Sequence, residues 1–156
     1  MSIASTYEKA FLTLSAVVFA VFLTAAGYSV VGLGIHLPGH QGVMDPRVVA
    51  QTPPFDQPGV RQVGPGQDEV TMMAQAWSFN PSEVQVPVGS TVSFNITSRD
   101  VVHGLQILKT DVNVMVMPGQ LTSVTVRFDH PGEYWFICHE YCGVGHQGMF
   151  GKVIVQ

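Results

Sequence analysis

Charged residues are scarce in this sequence. Asp, Glu, Lys and Arg make up only 12% of its 156 residues, and the mean hydropathy is positive. The net charge is −4 and the few Lys and Arg residues form no cluster, which excludes the basic footprint typical of nucleic-acid-binding proteins. A wholly soluble protein rarely has so few charges, so the composition indicates a membrane segment.

The charge-free stretch Ala10–Leu37 predicts one transmembrane helix. It is longer than the ~20 apolar residues that cross a bilayer. It is also too long for the core of a cleaved signal peptide, and Glu8 beside Lys9 makes a poor basic start for one. Because the next basic residue after Lys9 is Arg47, the positive-inside rule favours a cytoplasmic N-terminus. We therefore expect residues 1–37 to be a single-pass anchor in the cell membrane, with the C-terminal domain on the periplasmic or extracellular side.

Proline is rare elsewhere but frequent in residues 38–68, which contain six prolines. Proline cannot donate a backbone hydrogen bond, so we interpret this range as a linker that sustains neither a helix nor a sheet ladder. Such a linker runs along a surface or packs on a partner subunit.

Long helical periodicity is absent from residues 69–156, and short strand patterns take its place. Apolar residues alternate at Val92, Phe94 and Ile96, and turn signals such as Pro131–Gly132 separate the runs. Eight strands in so short a range predict an all-β sandwich or Greek-key barrel. The predicted strands are 69–76, 83–87, 90–97, 104–108, 112–117, 121–128, 132–138 and 151–156.

Only two cysteines are present, and both lie in the segment FICHEYCGVGHQGMF. This segment holds Cys138, Cys142, His146 and Met149 just before the final strand, and His103 lies upstream in RDVVHGL. Thiolate, thioether and imidazole are soft donors that select copper.

Two alternatives remain open for these residues. A disulfide would close a very small loop and leave the histidine and methionine unexplained. A tetrahedral zinc site would use Cys138, Cys142, His146 and His103, but zinc sites do not normally recruit a thioether such as that of Met149.

The second cysteine distinguishes two kinds of copper site. A mononuclear blue-copper site uses two histidines, one cysteine and a long axial methionine. Two thiolates can instead bridge two copper ions and share the odd electron between them, which suits a one-electron relay.

The pattern C-x-E-x-C-G-x-x-H-x-x-M resembles the CuA signature of cytochrome c oxidase subunit II. V-V-H-G-L resembles the first-histidine loop of that family. The resemblance implies a cupredoxin-like fold and a binuclear copper centre bridged by both cysteines. It implies that His103 and Met149 complete one copper site, and that His146 and the backbone carbonyl of Glu140 complete the other.

The single predicted helix makes the chain most similar to the ba-type (B-family) haem–copper oxidases. The resemblance implies a subunit that accepts electrons from cytochrome c and passes them to haem in subunit I, where oxygen is reduced. Two alternatives are a CuA subunit of a nitric-oxide reductase and a membrane-tethered copper carrier. Trp77 and Phe79 are candidates for the donor-docking side, although both rings would also suit the sandwich core.

Overall fold

The N-terminal part of the chain is one long apolar helix. A computed structural model of the protein describes residues 3–33 and 42–156. Helix α1 spans Ile3–Val31, and its 27-residue stretch Ser5–Val31 is long and apolar enough to cross a membrane. At 1.5 Å per residue this stretch is roughly 40 Å long, which exceeds the hydrocarbon thickness of a bilayer. The predicted boundary between residues 37 and 38 lies outside the described residues.

The C-terminal part forms two five-stranded sheets. Sheet I has the order β1-β2-β5-β8, with β3 paired to β2, and sheet II has the order β4-β10-β9-β6-β7. Pairing is antiparallel except for β2 with β5 and β4 with β10, which are parallel. The strands are β1 (Gly59–Gly64), β2 (Gln67–Gln75), β3 (Ser78–Asn80), β4 (Glu83–Val86), β5 (Thr91–Ser98), β6 (His103–Ile107), β7 (Asn113–Val116), β8 (Thr122–Arg127), β9 (Gly132–Ile137) and β10 (Phe150–Val155).

Alternating apolar residues explain how the two sheets pack. Val92, Phe94 and Ile96 of β5 are fully buried, and so are Leu105 of β6 and Phe136 of β9. Because successive side chains of a strand point to opposite faces, each sheet presents one apolar face to the other. The predicted all-β sandwich with one N-terminal apolar helix is confirmed, and each of the eight predicted strands overlaps an observed one.

The prediction that residues 38–68 hold no sheet ladder is wrong for Gly59–Gly64. This segment is β1, which pairs with β2 at the edge of sheet I. Pro58 and Pro65 flank the strand, so neither removes a hydrogen bond from within it. The strand is exposed along most of its length, so it lacks the apolar alternation by which the other strands are found.

Part of the same range packs against sheet I. Val49, in a short 3-10 turn, and Phe55 are buried together with Met73 of β2, and Leu121 packs against them. This apolar cluster is separate from the core between the two sheets and covers part of sheet I. The segment from Val49 to Phe55 is therefore a packed layer of the domain.

Candidate metal centre

Sheet II positions all the predicted metal-binding residues. His103 is the first residue of β6, and the other five lie in the loop of residues 138–149 between β9 and β10. The two strands pair antiparallel, and the N–H of Cys138 donates to the carbonyl of Met149 at 3.0 Å. The loop is therefore closed at its base, with its first and last residues side by side.

The two cysteines face each other without a covalent bond. Their Sγ atoms are 3.9 Å apart, nearly twice the length of a disulfide bond. Both side chains are buried. His103 joins them, with its Nδ1 atom 3.8 Å from Sγ of Cys138, and the donor atoms of these three residues all lie within 4.8 Å of one another.

The remaining candidate donors surround the same two sulfurs. Sγ of Cys142 lies 3.5 Å from Nδ1 of His146 and 3.6 Å from Sδ of Met149. The Cys138 thiol donates to the carbonyl of Glu140 at 3.2 Å. Two thiols, two imidazoles, one thioether and one carbonyl exceed the four ligands of a zinc site. This soft donor set fits a pair of copper ions.

Burial raises the pKa of one of the thiols. Burial and the neighbouring Cys138 raise the pKa of Cys142 from 9.0 to about 11. At neutral pH the Cys142 thiol of the metal-free chain therefore keeps its proton. Because a thiolate is the form that binds metal, metal uptake must release this proton.

The side chain of Glu140 contacts the neighbouring His139. Its Oε1 atom lies 3.4 Å from Nδ1 of His139, whose Nε2 lies 3.3 Å from the carbonyl of Val114. The ring of His139 also fills the space where a side chain on Gly104 would stand. His139 therefore packs on sheet II, and Glu140 contacts the sulfur of Cys138 through its backbone oxygen.

Sequence reasoning did not identify Asp100, which contacts the buried His103. The Oδ1 atom of Asp100 accepts a hydrogen bond from Nε2 of His103 at 2.9 Å. Burial raises the pKa of Asp100, but hydrogen bonds from His103, Ala76 and Val101 outweigh it, so the net pKa lies below the ordinary value. The only sequence signal was an acid three residues before a candidate ligand.

The aromatic pair proposed for donor docking divides between core and surface. Phe79 is buried and packs edge-to-face on Phe136 with ring centroids 5.3 Å apart. Trp77 is 46% exposed, and its ring lies against Gly143 and Gly145, where a Cβ atom would approach it to 2.9 and 2.6 Å. Trp77 thus covers the ligand loop, and small residues are needed beneath it.

A two-sheet sandwich with these soft donors gathered at one end defines a cupredoxin-like copper domain. The family model "Cytochrome C oxidase subunit II, periplasmic domain" matches residues 70–156. A cytochrome c oxidase subunit 2 of Thermus thermophilus is 39% identical over 154 residues, covering 96% of this chain and 92% of the relative. The chain belongs to the cytochrome c oxidase subunit II family.

Solved structures agree with this assignment. A chain in the cryo-EM structure of a haem–copper terminal oxidase dimer matches with a TM-score of 0.73 and 38% identity, covering 96% of this chain and 99% of that one. The periplasmic domain of subunit II of cytochrome oxidase from Bradyrhizobium japonicum matches with a TM-score of 0.53 at 18% identity, over 56% of this chain and 83% of that one. The second match supports the fold.

Proposed function

We propose that this chain is the subunit at which electrons enter a haem–copper terminal oxidase. It accepts single electrons from cytochrome c at a binuclear CuA centre and passes them to haem in subunit I, which reduces oxygen. As a member of the subunit II family, it is a subunit of such an oxidase complex and partners with the other subunits. The observation that carries the proposal is the pair of buried thiols 3.9 Å apart, surrounded by four further donors.

Six residues of the chain are the proposed ligands of the two metal ions. The two cysteines would hold both ions, His103 and Met149 would complete the ligands of one ion, and His146 and the Glu140 carbonyl would complete those of the other. A copper pair bound in this way supplies one-electron transfer with little change of geometry. Burial of both cysteines limits the access of water to the sulfurs, and the hydrogen bond between Cys138 and Met149 closes the base of the loop that carries them.

Neither rival function is favoured by these similarities. A nitric-oxide reductase subunit would use the same centre, but the matching relatives named above are cytochrome oxidase subunits. A copper carrier must release its metal, whereas the donors here are mostly buried. Turnover of oxygen and of nitric oxide by the purified complex distinguishes the proposed oxidase from a nitric-oxide reductase. Retention of copper during dialysis against a chelator distinguishes the proposed centre from a copper carrier.

The direct test is the metal content and spin state of the purified full-length chain. We expect two copper ions per chain and an EPR hyperfine pattern in which one unpaired electron is shared by two copper nuclei. A four-line pattern from a single copper nucleus in the fully loaded chain would contradict the proposal.

We also propose that helix α1 remains as the anchor and that the copper domain faces outside. The supports are Lys9 ahead of the helix and the periplasmic domain named in the family description. Protease added to intact spheroplasts, in cells lacking the partner subunits, should digest the C-terminal domain. Digestion of the domain only after lysis would show that it lies in the cytoplasm. N-terminal sequencing of the mature chain tests whether the helix is retained.

A further inference from the structure

The carboxylate of Asp100 connects two segments of the chain, residues 100–103 and the turn at Ala76. Its Oδ1 atom accepts from Nε2 of His103 at 2.9 Å and from the N–H of Val101 at 2.7 Å. Its Oδ2 atom accepts from the N–H of Ala76 at 2.6 Å, across 24 residues of sequence. The side chain is 31% exposed, so this carboxylate lies at the rim of the candidate metal centre.

The first of these contacts fixes which nitrogen of His103 faces the sulfurs. An ionised carboxylate only accepts hydrogen bonds, so Nε2 of His103 carries a proton, and in the neutral ring Nδ1 then has the lone pair. That lone pair is on the side of Cys138. A carboxylate on the far nitrogen of a metal-binding imidazole also fixes the ring orientation.

The contact with Ala76 reaches the other half of the centre. Ala76 precedes Trp77, whose φ of 132° lies in a region that side chains rarely adopt. The Trp77 ring lies on Gly143 and Gly145, which belong to the segment between Cys142 and His146. One carboxylate therefore holds the turn that covers this loop as well as the imidazole of His103.

We propose that Asp100 is a positioning residue that sets the tautomer of His103 and the placement of Trp77 together. The inference rests on the proposed function only in taking His103 to be a copper ligand. Substituting Asp100 therefore disturbs both halves of the centre, although the residue itself contacts only one of them.

The metal-free full-length chain provides the first test. In Asp100→Asn the charge is lost and one carboxylate oxygen becomes an NH₂ group, so His103 either has a neutral acceptor in place of a charged one or loses its acceptor altogether. With ¹⁵N-labelled histidine, we expect the ratio of the Nδ1–H to the Nε2–H tautomer of His103 to rise about tenfold or more, as loss of a charge-assisted hydrogen bond implies. A ratio within about twofold of wild type would overturn the proposal.

Two control variants separate positioning from other effects. Asp129→Asn removes the same charge from an exposed pair with Arg127 and should leave the tautomer ratio unchanged. Arg99→Gln removes the 3.2 Å hydrogen bond from the Arg99 guanidinium to Oε1 of Gln75, which joins the same two segments, but keeps the carboxylate. If Arg99→Gln changed the ratio as much as Asp100→Asn, the role of Asp100 would be loop order, and the proposal would be wrong.

Trp77 fluorescence tests the second half of the proposal. The chain has two tryptophans, so a Trp135→Phe background makes Trp77 the single emitter. In this background Asp100→Asn should shift the emission to longer wavelength, because the ring leaves Gly143 and Gly145 for water. An unchanged spectrum would show that Trp77 is placed without Asp100.

The copper-loaded chain completes the experiment. Asp100→Asn should still bind two copper ions but change the hyperfine-shifted ring signals of His103, whereas identical signals would count against positioning. If wild type took up no copper, the proposed function would fail. The tautomer ratio of the metal-free chain would still decide the role of Asp100.

Discussion

The two sheets of the domain contribute to the candidate centre in different ways. Sheet II and its loops carry all six candidate donors, and five of them lie within twelve consecutive residues. Sheet I and its connections carry none among the described residues, but they place Trp77 over the ligand loop and Asp100 on His103. The comparison indicates that sheet II supplies the donors that select the metal, whereas the contacts of Trp77 and Asp100 orient the ligand loop and the ring of His103.

Replacing either cysteine should have the largest effect on copper binding. Each replacement removes a sulfur donor, and no described residue of sheet I is a candidate to replace it. In Cys138→Ser or Cys142→Ser one bridging sulfur is lost, and a single bridge does not hold both metal ions. We expect the binuclear EPR signal to disappear and the copper content to fall below two. Thr97→Val is the matched control in sheet I, because Thr97 is buried like the two cysteines. The substitution removes a hydroxyl that has no hydrogen-bond partner in the described residues. It should keep the full signal.

A pH titration of the metal-free chain should show the next largest effect. The raised pKa of Cys142 means that the folded chain holds this proton more tightly than the unfolded chain does. The contribution of Cys142 to the free energy of unfolding is therefore complete below about pH 9. It decreases as the pH rises from about 9 towards 11. Urea unfolding at several pH values measures this decrease, which should be smaller in Cys142→Ser. A free energy of unfolding that rises over this window would contradict the assignment.

Replacing the thioether should have a moderate effect. Met149→Leu should keep two copper ions and shift the reduction potential, because a thioether is a weak axial ligand. Met72→Leu is the matched control, since Met72 is an equally buried methionine of sheet I. Redox titration of both variants tests the difference between the sheets, and equal shifts would remove Met149 from the ligand set.

The smallest effect is expected at Glu140. Glu140→Gln should leave the EPR spectrum and the copper content unchanged, because only the backbone carbonyl of this residue faces the sulfurs. Glu69→Gln in sheet I should instead lower stability by about 0.5 kcal/mol, because its carboxylate contacts both Arg61 and Asn95. Loss of copper from Glu140→Gln would show that the side chain is a ligand.

Sequence reasoning succeeded where the information was local. Eight strands followed from alternation of period two and from turn residues, and the ligand loop followed from donor types within one short segment. Edge strand β1 was missed because its exposed residues show no alternation. The hydrogen bond between Asp100 and Ala76 joins residues 24 apart in sequence, and no local pattern indicates such a contact.

The position of the ligand loop within sheet II has a consequence for the lifetime of a bound metal. Strand β10 lies between β4 and β9, and β9 lies between β10 and β6, so the loop hangs from two strands that are paired on both sides. Strands in the middle of a sheet open only in fluctuations that approach complete unfolding. We expect a bound metal ion to leave only in such fluctuations, so that its loss would follow the unfolding rate. The rate of loss should therefore not depend on the concentration of a competing chelator, however strongly that chelator binds.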